Sequence, residues 1–376
     1  MARILKEEMQ TMRKALTACL IIFLMLVMLL EPGICIEGAT SGLLLWFQKV
    51  LPSLLPFIIL INLLCFLGIV FKFSRVITPV TRKLFHLSGS AFLAFVLGLI
   101  SGYPMGAKLI KNLLESDEIT FEEGQKALCF CSNCGPLFII GTIGTLMLGQ
   151  TNLGYFLLLV HILSAFFMLL LSRFYHTSSV TTSSKCLPTN VKMSFSQAFT
   201  ASIQNGMDTI VYVGGYIIFF SMLMKLLGHS ALYSRFTESL GQLIHIDGTL
   251  IHTFCLSLFE FSSGSAALTT LLPKGVPLLA CLSALVAFGG ICVLFQTQYV
   301  LQGSGLSITP YILSKLLQAL LAFILTFVLF PVWNHFFNVV PYRFNVVWPI
   351  LLSIALLCIC YFFRTLAPSI KTLERS

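Results

Sequence analysis

The sequence predicts an all-α polytopic membrane protein of about eight transmembrane helices and two re-entrant hairpins, arranged as two inverted-topology repeats. Three observations carry this. Charge is scarce, apolar runs of membrane-crossing length recur along the chain, and helix-breaking residues fall at matching places in its two halves. Hydrophobic residues make up 57% of the 376 and charged residues 10%, with a mean hydropathy of +0.95. Soluble domains carry about 25% charged residues, and a chain this apolar would expose patches that water does not tolerate. The net charge of +9 forms no basic stripe, so nucleic acid is not an expected partner. Most of the 12 cysteines sit inside apolar runs as small hydrophobes. Cys131-Ser132-Asn133-Cys134 has CxxC spacing, but no second pair follows, so no metal site is expected.

A helix needs about 20 apolar residues to cross a hydrocarbon core of about 30 Å. The first candidate, 15–30, follows Arg3, Lys6, Arg13 and Lys14 and ends at Leu30-Glu31-Pro32-Gly33 without a small-x-small cleavage site, so a retained helix is expected. Further candidates lie at 50–71, 90–114, 126–149, 153–174, 207–228, 249–272, 277–302, 309–331 and 345–363. One long Ser/Thr-rich stretch, about 175–200, divides the chain. The expected organisation is an N-terminal helix and loop (1–45), a first repeat (46–175), a polar linker (176–202), a second repeat (203–332) and a C-terminal helix and tail (333–376).

The two halves share a pattern. Gly98-Leu-Ile-Ser-Gly102-Tyr-Pro-Met-Gly-Ala-Lys108 in the first has its counterpart in Glu260-Phe-Ser-Ser-Gly264-Ser-Ala-Ala-Leu268. An interrupted span follows each, broken at Ser132-Asn-Cys-Gly-Pro136 and at Phe288-Gly-Gly290. Transporters built from two related halves hold substrate at such breaks, because exposed backbone at membrane depth is tolerated only where it is buried or lines a cavity. Charge placement bears on 90–114 and 249–272. If both cross, 14 of the 23 Lys and Arg residues face the cytoplasm, Lys315 among them; if both re-enter as hairpins, 18 do. The positive-inside rule prefers hairpins. Each half then crosses three times, which inverts the second half and leaves both termini cytoplasmic.

Leu99-Ile-Ser-Gly-Tyr-Pro-Met-Gly-Ala-Lys108, the run Glu123–Gly144 around Asn133-Cys-Gly-Pro136, and Leu258-Phe-Glu-Phe-Ser-Ser-Gly264 together resemble the YlbJ-type (SpoVV) sporulation integral membrane proteins, of the nucleoside-recognition (Gate) domain family. The resemblance covers roughly residues 45–330. It implies a fold related to the concentrative nucleoside transporter core. It also implies a role in spore formation, moving dipicolinic acid out of the mother cell across the outer forespore membrane. Phe261-Ser262 stands where Ile-Thr or Val-Thr is expected.

Dipicolinate is a flat pyridine with two carboxylates, so its site needs cationic or N–H donors at both ends and an apolar or aromatic slot between them. Ser101, Gly102, Ser263 and Gly264, at the hairpin tips, offer hydroxyls and free N–H groups at helix starts. Lys108 brings positive charge, Tyr103 a ring to stack, and Asn133 and Gly135 polar groups at the first break; Gly289 and Gly290 form the matching face. The bland alternatives are a snorkelling Lys108, an interfacial Tyr103, and Ser101 and Ser263 bonded back to helix carbonyls. Glu260, a carboxylate in an apolar run, is the coupling candidate, for a proton or a sodium ion; its bland reading is an ion pair with Lys315. No other cofactor is expected. Neither is an enzyme, since HExxH, GxSxG and paired intramembrane aspartates are all absent. A nucleoside or nucleobase transporter and a non-transporting scaffold for spore maturation are the alternatives. Lipid, and either a second copy or sporulation membrane partners, complete the expected surroundings.

Overall fold

The computed structural model describes residues 2–174 and 193–337, with side chains from residue 11 onward. The span expected at 345–363 and most of the linker lie outside the described residues. Every regular element among the described residues is helical. Six helices there are long and apolar enough to cross a membrane, or seven if one bent pair counts as a span. The protein is an integral membrane protein.

Helix α1 (Ala2–Leu30) leaves Leu16, Leu20, Phe23 and Leu29 exposed, a surface that only lipid suits. The stretch expected as a loop before residue 45 is instead helix α2 (Pro32–Leu45). Pro32 sits in its first turn, where a missing N–H costs nothing. The helix continues through a π-helical turn (Trp46–Val50) into α3 (Leu51–Phe66). Pro52 has no N–H to offer the Gln48 carbonyl, which accounts for the loosened register there. Small residues let α2 approach α9 (Phe195–His229) closely: a Cβ on Gly38 would lie 2.8 Å from the Lys225 Cβ. Helix α9 begins about a dozen residues before the expected start at 207, because Ser194 and Gln197 form a capping box ahead of its apolar run.

Two amphipathic helices were not anticipated as separate elements, α4 (Ile69–Phe85) and α10 (Ala231–Ile244). Each leads into a helix pair. Helix α4 meets α5 (Gly89–Ser101) at 90°, and α5 turns at Gly102–Pro104 into α6 (Met105–Glu115). The arms pack on each other and on the end of α7 (Phe121–Cys131): a Cβ on Gly98 or on Gly106 would overlap the Cys131 carbonyl oxygen. Helix α10 leads into α11 (Gly248–Ser257) and α12 (Phe261–Leu271), whose arms close at Gly264, where a Cβ would overlap Ser257.

The chain after α7 leaves helical geometry at Ser132, resumes as a π-helical stretch (Phe138–Met147) and reaches α8 (Thr151–Ser172). In the second half α13 (Val276–Phe288) breaks at Gly289, α14 (Gly290–Val300) follows, and α15 (Ile308–Phe337) closes the described chain. Phe130, Phe156, Tyr311 and Phe330 are fully buried where α7, α8, α13 and α15 pack together. That packing brings the two breaks and the two tips to one place.

Candidate functional site

The second tip is closed by its own carboxylate. Glu260 is the N-cap of α12, and its two oxygens accept from Ser262 N at 2.9 Å and Ser263 N at 2.6 Å. A carboxylate here answers both the orphan donors and the positive end of the helix. Free N–H groups were expected at Ser263 and Gly264; the Glu260 side chain already occupies the start of the helix. Ser263 Oγ lies 3.1 Å from Ser221 Oγ on α9, and Gly264 serves the packing of the hairpin arms. Glu260 does not pair with Lys315, whose ammonium is bonded elsewhere.

The second break docks onto that tip. Gly289 and Gly290 both have positive φ (80° and 79°), a region only glycine enters freely. A Cβ on Gly290 would lie 3.0 Å from the Leu258 carbonyl oxygen. The first N–H groups of α14 are spent here: Ile291 N donates to Leu258 O at 2.7 Å and Cys292 N to Phe259 O at 2.9 Å. The last carbonyls of α13 are used as well. Tyr103, from the first tip, donates its hydroxyl to Val286 O and Ala287 O at 3.2 and 3.0 Å. Its ring meets Phe261 edge-on at 6.2 Å, so Tyr103 is a buried link between the halves and not an interfacial residue.

At the first tip Ser101 bonds back to the Leu97 carbonyl at 2.8 Å, which is its bland reading. Gly102 (φ 88°) touches the first break, where its Cβ would come 3.0 Å from Gly135 N. The break is capped from α8: His161 Nε2 accepts from Cys134 N at 3.1 Å. Asn133 donates to Phe130 O at 2.7 Å, and its Oδ1 accepts from Gln318 Nε2 at 3.0 Å and from the Lys315 ammonium. Lys315, counted above with the cytoplasmic charges, is wholly buried on α15. Its signal in the sequence was a lysine three residues before Gln318, inside an apolar run.

Two cavities meet these elements. The larger, about 390 Å³, lies between α6, α9 and α14. Lys108 reaches into it and donates to Asn205 Oδ1 and, at 2.6 Å, to Thr209 Oγ1 on α9. Lys111 also lines it, donating to Gln302 O at 2.8 Å with Glu115 3.7 Å away. The Tyr212 and Tyr299 rings form its aromatic wall, their centroids 4.3 Å apart. The smaller cavity, about 30 Å³, lies between the tips and is lined by Tyr103, Gly135, Glu260 and Phe261. Gln296 and Val213 line both, so the small cavity sits at the inner end of the large one.

Of the expected site residues, then, Lys108 lines the outer cavity, while Tyr103, Gly135 and Glu260 line the inner one. Ser101, Gly102, Asn133, Ser263, Gly264, Gly289 and Gly290 build the tips and breaks around them. Tyr212, Tyr299 and Asn205 were missed. Tyr212 and Asn205 lie on the polar stripe of a long helix, and that stripe is recognisable only once its neighbours are known.

The chain is 27% identical to the sporulation integral membrane protein YlbJ of Bacillus subtilis (strain 168) over 354 residues, which cover 88% of this chain and 85% of that protein. No protein-family model matches the chain, and no solved structure does either.

Proposed function

The chain is a YlbJ-type integral membrane protein, and from that premise we propose that it transports a small organic anion, dipicolinic acid, out of the mother cell across the outer forespore membrane. One observation carries the reading: the outer cavity is lined by Lys108 and Lys111 together with the Tyr212 and Tyr299 rings, and shares Val213 and Gln296 with the small cavity between the tips. A flat dicarboxylate needs cationic or N–H donors at both ends and an aromatic wall, and 390 Å³ falls in the roughly 300–1,000 Å³ range of small-molecule sites.

The element order supports two inverted repeats. In each half a long helix is followed by an amphipathic helix, a hairpin, a broken helix and another long helix. In this reading both hairpins re-enter from opposite sides, and the chain resembles the hairpin-and-broken-helix core of nucleoside transporters. The substrate waits in the outer cavity, and its passage requires the tips to part at Tyr103 and Glu260. Glu260 is the site of a coupling ion. The substrate crosses unchanged, with no bond made or broken.

The test is uptake of labelled dipicolinate into proteoliposomes holding the purified protein, with labelled uridine run beside it. Dipicolinate uptake that unlabelled dipicolinate suppresses supports the reading. Uridine uptake moves the assignment to nucleosides, and uptake of neither favours a scaffold.

A further inference from the structure

At the first break the C-terminal end of α7 holds a cation, and that cation belongs to the chain. Lys315 Nζ donates to the Ser132 carbonyl oxygen, to Gln318 Oε1 at 2.7 Å and to Asn133 Oδ1 at 3.5 Å. The oxygens are held in place. Asn133 Nδ2 donates to Phe130 O and Gln318 Nε2 to Asn133 Oδ1, so both amides turn their oxygens toward the ammonium. The Tyr103 and Tyr311 rings lie with centroids 5.2 and 5.8 Å from Nζ. Among the described residues no carboxylate comes within salt-bridge distance of it.

An ammonium removed from water must have its charge answered locally. Carbonyl and amide oxygens and two ring faces answer it here, in place of a carboxylate side chain among the described residues. The carbonyls at the end of a half-helix carry the negative end of its dipole. Unwound backbone carbonyls at such ends are the groups that coordinate coupling sodium ions in transporters with broken helices, and hard cations take oxygen ligands. The ligand set at the end of α7 is of that kind, and the Lys315 ammonium is what it holds.

We propose that the Lys315 ammonium is a tethered substitute for a coupling sodium ion at the end of α7, and that the transport cycle runs without sodium. The transport half of this rests on the function proposed above; the binding half stands on the Lys315 cluster alone. It narrows the coupling ion to a proton.

The experiment compares unfolding temperatures of the purified full chain in detergent, in choline chloride, sodium chloride and methylammonium chloride at equal ionic strength. Wild type is expected to unfold at one temperature in all three. Lys315→Ala should unfold lower in choline and regain roughly 2–4 °C with sodium or methylammonium, as a free cation enters the vacated space. Lys315→Met should unfold lower and regain nothing, because its side chain fills the space without charge. A wild type stabilised by sodium over choline overturns the inference; so does a folded Lys315→Ala indifferent to all three salts, or a Lys315→Met that sodium stabilises. If Lys315→Ala unfolds in every salt, the wild-type and Lys315→Met comparisons decide. In proteoliposomes, wild-type dipicolinate uptake should survive replacement of sodium by choline, and loss of uptake there overturns the sodium-free cycle. No uptake in either solution counts against the transport function, while the unfolding comparison still tests the site.

Discussion

Replacing Lys108 with Met tests the outer cavity. The Lys108 ammonium hydrogen-bonds to two neutral acceptors, Asn205 Oδ1 and Thr209 Oγ1, and Asp208 on the same cavity wall is its charged neighbour, so a hydrogen-bonding position on it is open to an incoming carboxylate. A hydrogen bond to a charged partner contributes about 1.5–3 kcal/mol, and each 1.4 kcal/mol is tenfold in affinity. Lys108→Met should therefore weaken dipicolinate binding by roughly 10- to 100-fold. Lys111 supplies the contrast. Its ammonium already serves Gln302 O and faces Glu115, in a pair whose side chains are 24% and 56% exposed. Exposed pairs contribute about 0–1 kcal/mol, so Lys111→Met should cost no more than about fivefold. The assay is titration of the detergent-purified variants with dipicolinate, with concentration-dependent uptake in proteoliposomes alongside. Equal effects at the two lysines, or a Lys108→Met variant that binds normally, would refute the assignment of the outer cavity.

Three further outcomes follow from the geometry. Gly290→Ala should destabilise the protein by about 1–3 kcal/mol, because the new Cβ meets the Leu258 carbonyl at a positive φ; Gly215→Ala, with open space around it, should not. Thermal unfolding in detergent separates the two, and equal stability would show that the break does not dock on the tip. Glu260→Gln puts an amide where two N–H donors need acceptors, so it should lower stability by about 0.5–2 kcal/mol and abolish uptake; full uptake would remove Glu260 from coupling. A cysteine placed at Asp117, in the turn between α6 and α7, should react only with reagent on the cytoplasmic side. Labelling from the other side would mean that the first hairpin crosses.

The breaks were legible in the sequence because their causes are local. Gly102, Gly289 and Gly290 hold positive φ, and Pro136, with no N–H to continue the helix of α7, starts the next helical stretch. Helices α2, α4 and α10 escaped because small or polar residues dilute their apolar runs below the level a spanning window detects. The partners at the site were least legible. That Tyr103 would end on the α13 carbonyls and that Lys315 would lie under Asn133 are consequences of packing between segments about 180 residues apart, whereas the Glu260 cap is a local contact with Ser262 and Ser263. Lys315 shows the limit most clearly. Counting charges assigned it to the cytoplasm, since a lysine near a span end is usually wet, and only the oxygens of Ser132, Asn133 and Gln318 make its burial tolerable.

The most direct measurement is uptake of labelled dipicolinate by proteoliposomes of the purified protein, with and without excess unlabelled dipicolinate. Saturable uptake that the unlabelled compound suppresses, and that Lys108→Met weakens, is the expected result. Uptake no greater than in protein-free vesicles, from protein shown to be folded and inserted, would contradict the account.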